Sequence, residues 1–526
     1  MDMMITPSRL SGTLDAISSK SFAHRLLICA ALADQPTRIH LNGLSDDINA
    51  TIRCLQTMGC SINNSTTIFI AHKLQASSPS PSGEPEVRAS VRDTLLVEPL
   101  KKPSMPSVTL DCGESGATAR FLLPLVAHLF DSFTLTGSGR LPGRPFAPLC
   151  KALANAGCAF DTDTLPLTGR GKIQAGDFAI AGDVSSQFIS GLLFVLPLLG
   201  ADSRISITTP LQSVAYVDMT IEVLALFGIE IERGDSAFLV KGNQRYRSPE
   251  DVTAEGDWSN AAFFLCMGAL GGSVSLRGLS PQSTQGDKEV MEILKRFGAE
   301  IDQENLSQRH GGTEEGEEEI KGLISSLVMH HKPDWKQAPD SIKDYRLRQI
   351  LQEVFSEKGT IFLTSEEKEG ACRSVFLHLR EMESDAHIFT VSGGDLRGTT
   401  IDASQIPDLV PTLAVVASVA EGETVIYNAQ RLRMKESDRI QSTFDLLSGL
   451  GADVRMTDDG LVIRGKQRLR GGTVEGAGDH RIVMAAATAA CVCENPVVNL
   501  GYEAVNKSYP SFFEDFRAIG GVANVV

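Results

Sequence analysis

Phe227-Gly228-Ile229-Glu230-Ile231-Glu232-Arg233-Gly234-Asp235-Ser236-Ala237-Phe238-Leu239-Val240 is the stretch that decides the fold. An apolar helical segment runs into Gly228; the chain then alternates, turns near Gly234, and alternates again. Glycine ends a helix readily because it enters the left-handed region without a Cβ clash. Alternation of period two is what a half-buried strand requires. The unit is therefore helix, strand, turn, strand. The phrase recurs at Met58-Gly59-Cys60-Ser61-Ile62, Ala156-Gly157-Cys158-Ala159-Phe160 and Phe297-Gly298-Ala299-Glu300-Ile301. It returns at Leu450-Gly451-Ala452-Asp453-Val454 and Ile519-Gly520-Gly521-Val522, making six copies. The intervals Gly157 to Gly228, Gly228 to Gly298 and Gly451 to Gly520 are 71, 70 and 69 residues, the constant period of a repeated unit.

Two intervals are longer, Gly59 to Gly157 at 98 residues and Gly298 to Gly451 at 153. The excess over the common period locates two insertions. The first falls on the Ser/Pro-rich stretch about 75–106, which reads as a flexible surface loop. The second falls within about 303–386 and begins with the acidic Glu314-Glu315-Gly316-Glu317-Glu318-Glu319. It contains a helix-like stretch, Tyr345 to Phe355, and reads either as a surface decoration or as a small regulatory or partner-binding lobe.

A chain of 526 residues exceeds one ordinary domain, and 42% hydrophobic with 22% charged residues is normal for a soluble globular protein. A formal net charge of -16 argues against nucleic acid or an anionic membrane as a bulk partner. The ten cysteines show neither CxxC pairing nor metal-ligand spacing and read as core residues in a reducing cytoplasm. The N-terminus lacks the basic and apolar regions of a secretory signal, and no apolar run reaches the roughly 20 residues of a membrane span.

Against that acidic total, three runs place cations where a helix begins. They are Ser19-Lys20-Ser21-Phe22-Ala23-His24-Arg25, Arg431 to Arg439, and Gly478-Asp479-His480-Arg481. A helix N-terminus already carries about half a positive charge, so Lys or Arg there is unfavourable unless an anion sits among them. Asp183-Val184-Ser185-Ser186-Gln187 reads either as a helix cap or as a phosphate cradle of hydroxyls and free N–H groups. Cys112 to Arg120 opens another helix with small residues, and Gly116 permits close backbone approach. Arg140 and Arg144 share a loop, Asp408 precedes an apolar helical run, and Lys507 stands alone in a loop. In Lys435-Glu436-Ser437-Asp438-Arg439 a carboxylate lies beside cations, as proton transfer next to a bound anion requires. A P-loop is absent, which removes the common nucleotide-hydrolysing classes.

Taken in order, these motifs resemble the enolpyruvylshikimate-phosphate synthase family over nearly the whole chain outside the two insertions. The specific pieces are Lys20-Ser21 with Arg25, Ser185-Ser186-Gln187, Tyr216 with Asp218, and Glu255-Gly256-Asp257. They continue with Gln285-Gly286-Asp287, Ile406-Pro407-Asp408, Lys435-Glu436 with Asp438-Arg439, and Asp479-His480-Arg481. The resemblance implies an α/β fold: a two-domain, inside-out α/β barrel of six βαβαββ-type repeats. The N-terminal lobe would span 19–253, and 1–18 with 254–526 would form the second lobe, which carries the larger insertion. Phosphoenolpyruvate and 3-phosphoshikimate are the implied substrates of a cytoplasmic, monomeric transferase of aromatic amino-acid biosynthesis that needs no cofactor or metal.

Carried over by motif, 3-phosphoshikimate would be held by Lys20, Ser21, Arg25, Ser185, Ser186, Gln187, Ser213, Tyr216, Asp408 and Lys435. Phosphoenolpyruvate would meet Lys20, Gly116, Arg144, Gln187, Arg439, Arg481 and Lys507. Asp408, Glu436, Lys20 and Lys435 would share the proton transfers. The chain departs from the family at Glu114, where many relatives have Asn, at Arg431, where some relatives have a substrate-binding Asn, and at Ile17-Ser18, where Pro-Gly is usual. Retention of Gly116 implies inhibition by glyphosate. The alternatives are the sister transferase acting on a nucleotide sugar, whose loop cysteine has no counterpart between Cys112 and Cys150, and a non-catalytic anion-binding relative.

Overall fold

The computed structural model describes residues 1–70, 89–101, 105–305 and 387–526. Its strands form six four-stranded sheets of one design. In each, the first two strands are parallel and the third and fourth are added antiparallel. Ser107–Asp111, Ser132–Thr136, Leu167–Arg170 and Ala159–Phe160 are one example, and Asp177–Ile180, Ser203–Ile207, Ala237–Val240 and Ile231–Arg233 the next. All six repeat glycines, Gly59, Gly157, Gly228, Gly298, Gly451 and Gly520, have positive φ, between 76° and 104°. The repeat signal was thus a backbone requirement, since a side chain there would be strained.

Strands such as Ser107–Asp111 alternate exposed and buried residues, so each sheet has one wet and one dry face. The helices on the dry face are apolar all round: every residue of Val410–Ala417, His480–Ala490 and Trp258–Ala269 is buried. Helices therefore fill the interior and sheets form the wall. Two core clusters result. One is built from residues between Phe22 and Ala254, the other from Met3 to Leu14 together with Trp258 to Ala523.

The chain crosses between the cores twice, and the crossings hold each other. Ser19 N donates to Glu255 O at 2.7 Å and Asp257 N to Ile17 O at 2.8 Å. A Cβ on Gly256 would lie 2.3 Å from Gly278 O, so only glycine fits at this junction. The two ends of the chain share a sheet, Asp2–Thr6 filling the third position between Val497–Leu500 and Val522–Val525.

Part of the stretch expected to be a loop is strand. Ala89–Val97 pairs in register with Ile62–Ile70, from Ile62 opposite Val97 to Ile70 opposite Ala89. The Ser/Pro composition masked it because the alternation begins only after the Pro-rich run. The hairpin Glu300–Asn305 with His387–Ser392 occupies the same position in its sheet, so both insertions interrupt the connection between the fourth and third strands. The helix-like Tyr345 to Phe355, the acidic run 314–319 and Cys372 lie outside the described residues. The other nine cysteines are unpaired thiols, all but Cys491 buried. Among the described residues no helix is long and apolar enough to cross a membrane.

Candidate active site

Five inner helices aim their N-termini at one cleft between the cores. Lys20–Leu32 brings Lys20, Ser21, His24 and Arg25, and Gly116–Leu129 brings Gly116 and Arg120. Ser186–Val195 brings Ser186 and Gln187, with Ser185 as its cap. Val410–Ala417 follows directly on Asp408, and His480–Ala490 begins with His480 and Arg481. Four of the five starts are capped by a side chain: Ser19 accepts from Phe22 N, Ser115 from Thr118 N, Ser185 from Gln187 N and Asp479 from Arg481 N, while Val410–Ala417 continues from the turn Pro407–Leu409. Outer helix Arg439–Gly449, capped by Asp438, adds Arg439. The cleft is lined by eight Lys and Arg side chains against three carboxylates, the reverse of the molecule's net charge.

At the centre lies Arg439, 1% exposed. Its Nη1 donates to Asp408 Oδ1 at 2.5 Å and its Nη2 to Glu436 Oε2 at 2.5 Å. Asp479 takes two further bonds, from Nε at 2.8 Å and Nη2 at 3.2 Å. Burial alone would lower the pKa of this guanidinium, but Asp479, Glu436 and Asp408 raise it well above its ordinary value. Asp408 also faces Arg481 Nη2 at 3.4 Å and Lys435 Nζ at 3.5 Å, and accepts from Tyr216 Oη at 3.0 Å. Burial pushes its carboxyl up, yet Arg481, Lys435 and Arg439 outweigh that and hold it well below the usual range. Glu436 shows the same balance through Arg439 and Arg144, whose Nη1 reaches it from the opposite lobe at 3.4 Å. Burial brings Lys435 down to about 8, near the point where an amine exchanges its proton at physiological pH.

The far wall is made of hydroxyls and fixed cations. Arg25 donates to Thr220 Oγ1 at 2.8 Å, Ser21 O at 2.6 Å and Tyr216 O at 2.7 Å. Lys20 Nζ donates to Asp47 at 2.9 Å. Ser185, Ser186 and Ser213 complete this end. At the other end Gly116 lies against Arg144, whose Nη1 would stand 2.6 Å from an added Cβ.

Fifteen of the sixteen residues singled out in the sequence line this cleft. Lys507 does not. It reaches from the second lobe to Glu114 of the first and donates to Gly478 O at 2.6 Å. Asp47, His24, Arg120 and His480 line the cleft without having been singled out. Arg120 donates to Gln187 Oε1 at 2.8 Å and lies over the rings of Phe146 and Phe188. His480 is held neutral by burial and the cations around it, and neither ring nitrogen has a hydrogen-bond partner. Arg120, His480 and His24 stood inside stretches already quoted, Cys112 to Arg120, Asp479-His480-Arg481 and Ser19 to Arg25; Asp47 carried no local signal.

The profile of the family described as EPSP synthase (3-phosphoshikimate 1-carboxyvinyltransferase) matches residues 4–330 and 374–516. A 3-phosphoshikimate 1-carboxyvinyltransferase of Clostridium novyi is 36% identical over 524 residues, covering 99% of this chain and 98% of its own. That of Clostridium kluyveri is 37% identical over 524 residues, with 98% and 97% covered. Among solved structures, EPSP synthase from Acinetobacter baumannii aligns with a TM-score of 0.67 at 22% identity, covering 100% of both chains, which speaks for the fold. With residues 4–330 and 374–516 matched by the family profile and relatives 36–37% identical over nearly the full length, the chain belongs to the EPSP synthase family.

Proposed function

We propose that the chain transfers the enolpyruvyl group of phosphoenolpyruvate to the 5-hydroxyl of 3-phosphoshikimate and releases inorganic phosphate. One observation carries the reading: Lys20, Arg144, Arg439 and Arg481, drawn from both lobes, converge on one cleft whose other wall is serine hydroxyls. Phosphoenolpyruvate brings a phosphate and a carboxylate, and Arg binds either with two parallel hydrogen bonds. The hydroxyls of Ser185, Ser186 and Ser213 suit the phosphate of the sugar acid.

The 5-hydroxyl oxygen attacks the enol carbon, its proton passing to Asp408, while a proton is added to the methylene carbon with Glu436, Lys20 or Lys435 as donor. The tetrahedral product then loses phosphate and a methyl proton, restoring the double bond. Asp408 and Glu436 are poor bases while Arg439, Arg481 and Lys435 stabilise their charge. Substrate anions that draw those cations away raise the basicity of both carboxylates, so binding itself prepares proton transfer. One chain supplies both walls of the cleft, which suits a monomer, and its unpaired thiols suit a reducing cytoplasm.

The test is phosphate release from phosphoenolpyruvate that depends on 3-phosphoshikimate. Glu436→Ala and Arg439→Ala should each lower kcat by about 100-fold or more, as loss of a proton-transfer or charge-stabilising group does. Parent-like rates would refute their roles. Release without the sugar phosphate would refute the reaction.

A further inference from the structure

The helix Gly116–Leu129 starts on a hydroxyl that is itself held by others. Ser115 Oγ accepts from Thr118 N at 3.3 Å and from Thr118 Oγ1 at 2.7 Å. Thr118 Oγ1 lies 2.6 Å from Thr51 Oγ1 of the helix Asp46–Thr57. Thr51 Oγ1 lies in turn 2.7 Å from Nδ1 of His24 in Lys20–Leu32. Side chains of three helices and a cap thus form one chain of hydrogen bonds, and none of the four is more than 1% exposed.

The direction of the chain decides which nitrogen of His24 carries hydrogen. A hydroxyl has one hydrogen to donate. Thr118 gives its own to Ser115, so Thr51 donates to Thr118, and the bond between Thr51 and His24 is donated by the ring. His24 is therefore the tautomer protonated on Nδ1. Burial, with Lys20 and Arg25 nearby, keeps the ring uncharged, and Nε2 is left as a buried lone pair without a hydrogen-bond partner. What the chain holds is the first turn of the Gly116 helix. The cap takes the N–H of Thr118, while helix geometry leaves those of Gly116 and Ala117 without an intrahelical partner, and both residues line the cleft. Arg144 packs on the same turn, its Nη1 2.6 Å from where a Cβ on Gly116 would stand. A shift of this turn moves an anion-binding helix start and an arginine together.

We propose that His24 is a positioning residue: as the donor at the head of the chain through Thr51 and Thr118 to Ser115, it sets the Gly116 turn that receives phosphoenolpyruvate. This rests on the enolpyruvyl-transfer reading and adds to it a residue that acts through three others.

Steady-state kinetics of the full chain and ring-nitrogen NMR of histidine-labelled protein test this. Thr51→Val removes the middle hydroxyl at similar volume. It should raise KM for phosphoenolpyruvate about tenfold and leave KM for 3-phosphoshikimate within about twofold of the parent's. Thr51→Ser keeps the hydroxyl and should restore the parent's values. A merely structural role would lower the stability of Thr51→Val without moving the ratio of the two KM values. A folded Thr51→Val with the parent's KM for phosphoenolpyruvate overturns the proposal. So does an equal rise for both substrates, which would place the fault at Lys20, one turn before His24. In the NMR experiment the His24 signals are those lost in His24→Asn, and at neutral pH they should show Nδ1 protonated and Nε2 bare. The other tautomer, or a charged ring, overturns the proposal whether or not Thr51→Val folds. A parent chain inactive on this substrate pair removes the reaction and this role together; an active parent with an unaltered Thr51→Val removes the role alone.

Discussion

Gly116 stands at the first position of its helix with the Arg144 guanidinium packed against it, an added Cβ falling 2.6 Å from Nη1 and 2.9 Å from Cζ. Alanine is a good helix former, so Gly116→Ala should fold as well as the parent. The methyl must push Arg144 aside, and that arginine also carries the cross-lobe bond to Glu436. The expected result is a KM for phosphoenolpyruvate raised about tenfold, a loss of about 1.4 kcal/mol, with KM for 3-phosphoshikimate much less affected. Glyphosate, if it shares the phosphoenolpyruvate end, should inhibit the parent and inhibit the alanine variant less; a parent insensitive at millimolar concentration would count against that placement.

Among the elements, the helix His480–Ala490 depends on Asp479 twice. The carboxylate is 0% exposed, caps the helix through Arg481 N and takes two bonds from Arg439. Asp479→Ala should cost about 2–3 kcal/mol in urea unfolding, because it removes the helix cap and two of the bonds to a buried guanidinium that keeps Asp408 and Glu436. Asp479→Asn keeps an oxygen for the cap and should be milder than alanine by about 1 kcal/mol. Equal losses in the two variants would show that the cap contributes nothing there.

For the molecule as a whole, the crossing between the lobes holds a buried carboxyl. Glu255 accepts from Ser283 Oγ at 2.7 Å and Gln285 Nε2 at 2.8 Å, yet burial still pushes its pKa up to about 6. Between its unfolded value near 4.5 and about 6 the folded state binds more protons than the unfolded one, so stability falls as pH rises through that window. The loss amounts to about 2 kcal/mol. Asp408 and Glu436, with depressed pKa values, act in the opposite sense and only below about pH 4. Buried His24 and His480, whose pKa values burial lowers, act oppositely in this window, so the check is the difference between chains: in urea unfolding between pH 4.5 and 7, Glu255→Gln should show a more positive slope than the parent, and an unchanged slope would overturn the assignment.

The sequence by itself determined whatever a few neighbouring residues decide. Six glycines ending helices, alternation after them and hydroxyl or carboxylate caps before the cation runs are local choices of backbone and hydrogen bond, legible in the order of residues. Fifteen site residues were legible too, chiefly through the family resemblance: the cation runs at helix starts gave a local signal, whereas Ser213, Tyr216 and the loop residue Arg144 were reached only by carrying the family's motifs over. Tertiary structure alone decided what happens across the cleft. Nothing near Lys507 announces Glu114, and nothing near Arg431 announces Ser213, since the partners are about two to four hundred residues apart in sequence. The cations met carboxylates of the chain itself before any ligand, because charges brought into a low-dielectric cleft must be paired wherever the fold happens to bring the partner.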